Sequence, residues 1–379
     1  MFATILCGCA LLSVGCFAGL VQSGARIPDP DGLLHIYALP IGQGDTNIIQ
    51  CPDGSLTVYD FGSSNKESPG FWGTPEISGF LENRFSDIVN VIVTHNHYDH
   101  YSYLGDVLHS GQDMGGLENV FISCTADVMA SPIGDWLQDI GASEKLRTFN
   151  DGRACGMNGV DCGSVPLCPN DETIRAKVMA ANYGDQCEGG NPNIDSVVIK
   201  IVYDEVSVLL NGDFEDFTSD WSEEGPQFDM ASYYGEELQV TVYQISHHGA
   251  SSLANKPVIR DVIHPKALFV SGNFWYGYGH PRCSIFDGFI EYVPVKTLCK
   301  PGDDANGEFY CGEHVNPSLP IDERVQSTYT CGESSTEARL VTDNDYAIYT
   351  TTPTENSINL ITFSTDGINW GFQNNIQAR

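Results

Sequence analysis

Three imidazoles and a carboxylate fall within six consecutive residues, His95-Asn96-His97-Tyr98-Asp99-His100. Neutral imidazole and carboxylate together suit a divalent cation: Zn²⁺ first, Mn²⁺ or Fe²⁺ as alternatives. The cluster follows Ile88-Val89-Asn90-Val91-Ile92-Val93-Thr94, an apolar run that reads as a buried strand. A fixed strand end places ligands well, and loops at strand ends are where sites usually sit. Three of only ten His in one such loop argues against a random surface tract.

Four further runs end in ligand-type or polar residues. Residues 206–210 lead into Asn211-Gly212-Asp213, and residues 239–245 lead into Ser246-His247-His248-Gly249-Ala250-Ser251-Ser252. Residues 267–270 lead into Ser271-Gly272-Asn273 and then Tyr278-Gly279-His280-Pro281. Residues 56–59 lead into Asp60-Phe61-Gly62. Alone, a strand-end Asp reads as a helix cap and a His-Pro as a turn. Together they read as one site assembled from several strand ends.

The elements that position these residues are β-like runs at 34–39, 47–50, 56–59, 88–94, 196–203, 206–210, 239–245 and 267–270, with hairpins expected over 339–352 and 357–372. Helices are expected at 104–109 and 132–137. Residues 152–190 read as a Cys- and Gly-rich loop region. Alternating strands and helices argue for an α/β core.

The set HxHxDH, "NGD" and "SHHGASS" resembles the metallo-β-lactamase superfamily. Leu39-Pro40-Ile41-Gly42-Gln43-Gly44-Asp45, residues 193–200 and the Ser271–Pro281 pattern resemble more narrowly the soluble hydrolase domain of ComEC-type competence proteins. The resemblance covers about residues 34–290. It implies a four-layer αββα sandwich spanning 30–295. Residues 296–379 lie outside the resemblance and read, from their composition and turn signals, as a small β-rich, Cys-containing extension. It also implies two divalent metal ions. His95 and His97 would bind the first, Asp99, His100 and His247 the second, and Asp213 would bridge. Asp60 would orient the HxHxDH loop, with Asp45 beside it. His248 and His280 would face the substrate, with Asn273, Ser251 and Arg282 around them. Two departures stand out. A ligand His usually lies between HxHxDH and the bridging Asp, but only His109 occurs there, close behind the motif. The first site is therefore expected to be open, weaker or completed by water. Ala250 stands where Ser is common.

The balance of 18 Lys+Arg against 50 Asp+Glu gives a net charge of −32. That excludes a nucleic-acid binder held by a basic surface, so no stable nucleic-acid complex is expected. Residues 1–25 carry no charge and read as a secretory signal peptide cleaved after Ala18 or Ala25; the run is also long enough for an uncleaved anchor. Ten Cys beyond it fit up to five disulfides in a secreted or periplasmic protein, with a zinc knuckle over 155–187 as the alternative. His35, His264 and His314 lack partners in sequence and read as structural. The aromatic group Phe274-Trp275-Tyr276-Tyr278 reads as loop packing, with base stacking as its functional alternative.

These features predict a secreted metal-dependent hydrolase using metal-bound hydroxide, with Asp99, His248 and His280 in the chemistry. Phosphodiesters rank first as substrates. A lactone or carboxylic ester on the same site is the alternative, and a non-catalytic metal-binding protein is the reading from a different class.

Overall fold

The computed structural model describes residues 25–66, 68–123, 132–157, 159–184, 190–217, 224–250, 253–273, 278–292, 308–312, 326–330, 347–352 and 357–378. The leader, Ser251, the aromatic residues Phe274 to Tyr276, His314, Cys124, Cys187, Cys299 and Cys331 lie outside them.

Six strands open the chain: β1 (Leu34–Ala38), β2 (Thr46–Gln50), β3 (Leu56–Phe61), β4 (Ile88–Val93), β5 (Asn119–Ile122) and β6 (Leu146–Thr148). Six more follow: β7 (Ser164–Val165), β8 (Ile174–Ala180), β9 (Val198–Tyr203), β10 (Val206–Leu210), β11 (Val242–Gln244) and β12 (Ala267–Val270). β13 (Glu308–Gly312) and β14 (Gln326–Thr330) pair with each other. The last strands are β15 (Ala347–Thr350), β16 (Ser357–Thr365) and β17 (Trp370–Ala378). The eight-stranded sheet has the order β17-β16-β1-β2-β3-β4-β5-β6, and the seven-stranded sheet β15-β12-β11-β10-β9-β8-β7.

Period-two burial explains the layering. In β1, Leu34, Ile36 and Ala38 face the space between the sheets, while Tyr37 faces the opposite side. In β10, Val206, Val208 and Leu210 meet the first sheet, and Leu209 turns away. The outer faces are covered by helices α1 (Thr74–Phe80), α2 (Leu104–Val107) and α3 (Pro132–Asp139) on one side. On the other lie α4 (Pro226–Tyr234), α5 (Pro257–Ile263) and α6 (Cys283–Tyr292). Three apolar clusters thus separate four layers, the αββα sandwich that the motifs imply. β4 is apolar almost throughout because parallel neighbours on both sides leave it buried on both faces.

The C-terminal β-rich part is built into this sandwich. β16 pairs with β1, the β16–β17 hairpin closes at Asp366-Gly367, and β15 lies parallel to β12. The described part of the 339–352 run is therefore a sheet strand beside β12. Within the stretch read as a Cys-rich loop, β8 is a full strand pairing β9.

Cys51 and Cys168 form a disulfide across 117 residues, and Cys155 pairs with Cys162 across seven. These pairings leave Cys155, Cys162 and Cys168 no thiolate for a zinc knuckle. Cys51 and Cys168 both lie in the apolar layer between the sheets, so their bond ties the first sheet to the entry of the second. A loop of that length restricts the unfolded chain by about 4–5 kcal/mol in the chain-entropy view, against about 2–3 kcal/mol for the short one. The Cys51→Ala/Cys168→Ala variant is expected to lose more stability in denaturant titration than Cys155→Ala/Cys162→Ala. The reverse order would contradict this ranking. Among the described residues no helix is long and apolar enough to cross a membrane.

Candidate metal centre

The site gathers at one edge of the sandwich, where β1–β2, β3, β4, β10, β11 and β12 release their loops. Asp60, buried at the end of β3, organises the first of them. Its carboxylate accepts from the Thr94 backbone N–H at 2.8 Å, the Thr94 hydroxyl at 2.8 Å and His100 Nδ1 at 2.8 Å. This ties the start of the HxHxDH loop to one of its rings. Gly44 permits the neighbouring loop to close: at φ +146°, a Cβ there would stand 2.7 Å from the Asp99 carbonyl oxygen and 2.4 Å from that of Gly62. The close approach also carries the bond from Asp45 N to the Asp99 carbonyl, 3.2 Å.

The imidazoles are held by one nitrogen each. His100 gives Nδ1 to Asp60, and His248 gives Nδ1 to the Ser271 carbonyl at 2.9 Å. His95 Nδ1 lies 3.0 Å from the Thr94 hydroxyl and 3.3 Å from that of Ser196. Each therefore turns Nε2 inward. Nε2 of His95, His100 and His248, together with Asp213 Oδ1, are buried and have no hydrogen-bond partner. Asp213 sits among them. Its Oδ2 is 3.3 Å from His100 Nε2, 3.6 Å from His247 Nε2 and 3.8 Å from His95 Nε2, and its Oδ1 is 3.4 Å from His248 Nε2.

Two donor groups result. Asp45, His100, Asp213 and His248 form one, and His95, His97 and Asp213 the other, with donor atoms in each group within 4.8 Å of one another. Buried polar atoms are almost always paired, so four orphaned donors converging on one place fit cations as their missing partners. Nitrogen and oxygen donors sharing one carboxylate, with Nδ1 of His95, His100 and His248 already bonded, are the chemistry such ions require.

The charges agree. Burial alone would raise Asp213, but His248, His100 and His247 overcome it and hold the group well below the usual carboxylate range. Burial likewise opposes Asp99, which His248 and His100 keep below its ordinary value. Burial pushes Asp45 up to about 6. His100 is raised despite its burial, by Asp213 and Asp60, and His248 rises to about 9 against burial, chiefly through Asp213. Burial lowers His95 and His97, and lowers His280 with help from His247 and His248.

The structure brings His95, His97, His100 and Asp213 together, and it places His248 and Asp45 in the donor groups where the sequence expectation had His247 and Asp99. His248, rather than His247, belongs to the four-donor group. His247 instead gives Nδ1 to Glu215 at 2.6 Å and keeps its side chain 24% exposed. The cause is backbone: both residues adopt left-handed φ, +51° and +53°, which turns the second ring inward. Asp45 joins the donors directly, while Asp99 stands alongside, its Oδ2 3.6 Å from His248 Nε2. The His280 ring stands 5.6 Å from that of His247. Asn273 gives Nδ2 to Asn65 at 3.1 Å, within the wall of the site. The Arg282 backbone N–H bonds the Gly249 carbonyl at 2.9 Å. Tyr278 is exposed, and its ring stacks on that of His280 at 5.8 Å. His35 bonds Asp31 and Ser364 far from this edge, His109 bonds Gly111, and His264 caps α5.

Sequence reasoning missed Glu215 and Asn191, and it noted residues 193–200 as a pattern without giving Asn193 or Ser196 a place in the site. For Glu215 the signal was an acidic residue two beyond a strand-end Asp.

No protein-family model matches the chain. Over 235 residues it is 25% identical to the uncharacterised protein YcaI of Escherichia coli strain K12, covering 62% of this chain and 24% of that protein. The chain thus spans about a quarter of the length of that relative. Among solved structures, CmlA, a diiron β-hydroxylase from Streptomyces venezuelae, aligns with TM-score 0.39 and 16% identity, over 80% of this chain and 55% of CmlA. The metallo-β-lactamase fold protein YhfI from Bacillus subtilis aligns with TM-score 0.35 and 10% identity, over 62% of this chain and 85% of YhfI.

Proposed function

We propose that this chain is a metal-dependent hydrolase acting on phosphodiester bonds. The observation that carries the reading is the set of four buried ligand atoms without a hydrogen-bond partner, Asp213 Oδ1 and Nε2 of His95, His100 and His248 around it. His95, His97 and Asp213 would hold one divalent ion, and Asp45, His100, Asp213 and His248 the other, with zinc the first choice of metal. Bound divalent ions lower the pKa of water from 15.7 to about 7 and stabilise the oxygens of a phosphoryl displacement.

The protein's own groups divide the remaining work. Asp60 and the Ser271 carbonyl orient His100 and His248. His247 and His280 stand at the mouth, where His280, held neutral by burial, can exchange a hydrogen bond with a substrate oxygen. Three carboxylates, Asp45, Asp99 and Asp213, would repel a phosphodiester, and two divalent ions reverse that sign. The motif resemblance and Arg282 beside His280 favour phosphorus over carbon centres. The net charge of −32 favours a small or locally held phosphodiester over a long, stably bound nucleic acid. The disulfides suit an oxidising compartment, which supports export of the chain.

The test is metal content by elemental analysis alongside hydrolysis of bis(p-nitrophenyl) phosphate. About two metals per chain are expected, with activity abolished by chelator and restored by Zn²⁺ or Mn²⁺. Bound metal with hydrolysis of lactones or carboxylic esters but not of the phosphodiester would overturn the substrate assignment. Metal with no hydrolysis of any of these would overturn the enzyme.

A further inference from the structure

We propose that Glu215 is a positioning residue that fixes the His247 imidazole, with Nε2 turned towards Asp213 and the mouth of the site. The inference deepens the hydrolase reading and rests on it for its catalytic consequence. His247 lies outside both donor groups, yet its Nε2 is 3.6 Å from Asp213 Oδ2, and it is the more exposed of the two adjacent imidazoles. It is therefore placed to meet a substrate held at Asp213.

Its left-handed backbone separates the His247 ring from that of His248 but does not by itself hold it. At φ +51° the residue occupies a region that side chains other than glycine's rarely adopt, and its neighbour His248 shares the strain. Glu215 supplies the restraint. Oε2 accepts from Nδ1–H at 2.6 Å, which in the neutral ring leaves the Nε2 lone pair for the site. Oε1 accepts from Asn191 Nδ2 at 2.6 Å and Asn193 Nδ2 at 3.0 Å. The carboxylate is buried and fully engaged, so it is a stiff anchor.

The same short turn runs on into Ser196, whose hydroxyl reaches His95 Nδ1 and accepts the Asp213 backbone N–H at 3.2 Å. One turn thus braces the site from two sides: through Ser196 at His95 and Asp213, and through Glu215 at His247.

The geometry demands a carboxylate at this position. All three contacts are donors, and a glutamine offers one oxygen in place of two. Asn191 cannot adapt by turning its amide, because its Oδ1 already accepts from the Asn193 backbone N–H. Glu215→Gln therefore either sets N–H against N–H at the asparagines or turns its amide N–H to His247 Nδ1 and drives the ring proton onto Nε2.

The test uses the full chain loaded with Zn²⁺, bis(p-nitrophenyl) phosphate as substrate, and nitrogen-15 NMR of the histidine rings. Glu215→Gln and Glu215→Ala are expected to lower kcat about 10–100-fold with KM and metal content unchanged. The double variant Glu215→Ala/His247→Ala should be no slower than His247→Ala alone, because the two residues act as one unit. The His247 Nδ1–H signal, present in the parent, should vanish in Glu215→Ala. Asn191→Ala, which removes only an outer contact, should show a smaller loss of the same kind and covers the case in which the Glu215 variants do not fold. Multiplying losses in the double variant, parental kcat in Glu215→Gln, or a His247 proton on Nε2 in the parent would overturn the proposal. If the parent itself hydrolyses nothing, the hydrolase reading fails, and the tautomer still decides the role of Glu215.

Discussion

Asp213→Asn is expected to lower kcat/KM at least about a thousandfold, equivalent to about 4 kcal/mol of transition-state stabilisation, with the fold intact. Among the described residues no other carboxylate pairs with so many of the imidazoles. Its two oxygens meet Nε2 of His95, His100, His247 and His248 within 3.3–3.8 Å, and it belongs to both donor groups. An amide keeps the shape but removes the charge and turns one acceptor into a donor aimed at those rings. Metal content should fall together with activity. The fold should survive because the carboxylate side chain faces only site residues, and because the imidazoles it leaves can shed a proton and become neutral. The sandwich is held elsewhere, by the apolar layers between its sheets and helices. Circular dichroism and thermal unfolding of the variant check the fold, and elemental analysis checks the metal. Parental activity in Asp213→Asn would remove Asp213 from the centre of the site. Lost activity with full metal content would place its role in the reaction rather than in holding the ions.

The parts of this architecture that were readable in the sequence share one physical cause. β4 must be buried on both faces, so residues 88–93 are apolar almost without interruption, and the ligand loop that follows is unmistakable. β10 and β12 are legible because they too are buried almost throughout. The helices α1, α4 and α5 are seven to nine residues long, too short for a 3.6-residue period to emerge, and each begins with a single proline at its first or second position that reads equally well as a turn. The placement of β15 depends on pairing with β12, Ala267 opposite Ala347, and that of the β16–β17 hairpin on pairing with β1, Leu34 opposite Thr365, contacts remote in sequence that no local pattern encodes. At the site, residue types announced the ligands, but the division of roles between His247 and His248 turns on two left-handed φ values. Asp45 was visible as part of a signature, yet its direct place among the donors follows from the close packing at Gly44. Glu215 is decided entirely by tertiary geometry: an acidic residue in a polar loop becomes significant only when His247 and two asparagines close around it.

Metal affinity should rise steeply with pH, by about a hundredfold per unit between pH 6 and 8, with about two protons released per chain on loading at pH 7. In the metal-free protein Asp213 and Asp60 raise His100, and Asp213 chiefly raises His248 to about 9, so both carry an extra proton at neutral pH. Their Nδ1 atoms are already committed to Asp60 and to the Ser271 carbonyl. The extra proton therefore sits on Nε2, the atom a cation would need, and each proton displaced contributes a tenfold change per pH unit. Calorimetry in two buffers of different ionisation enthalpy measures the release directly. The same protonation makes a prediction of opposite sign for the metal-free protein. A histidine whose folded pKa lies above its unfolded value of about 6.5 contributes stability that is complete below pH 6.5 and is lost as pH rises towards 9. The metal-free protein should therefore unfold at lower temperature at pH 9 than at pH 6.5, while saturating Zn²⁺ should reverse that trend, because ligand stabilisation grows with affinity. A flat affinity profile, or metal-free stability that climbs over this range, would mean that the site does not store these protons and that its donors stand ready as neutral ligands.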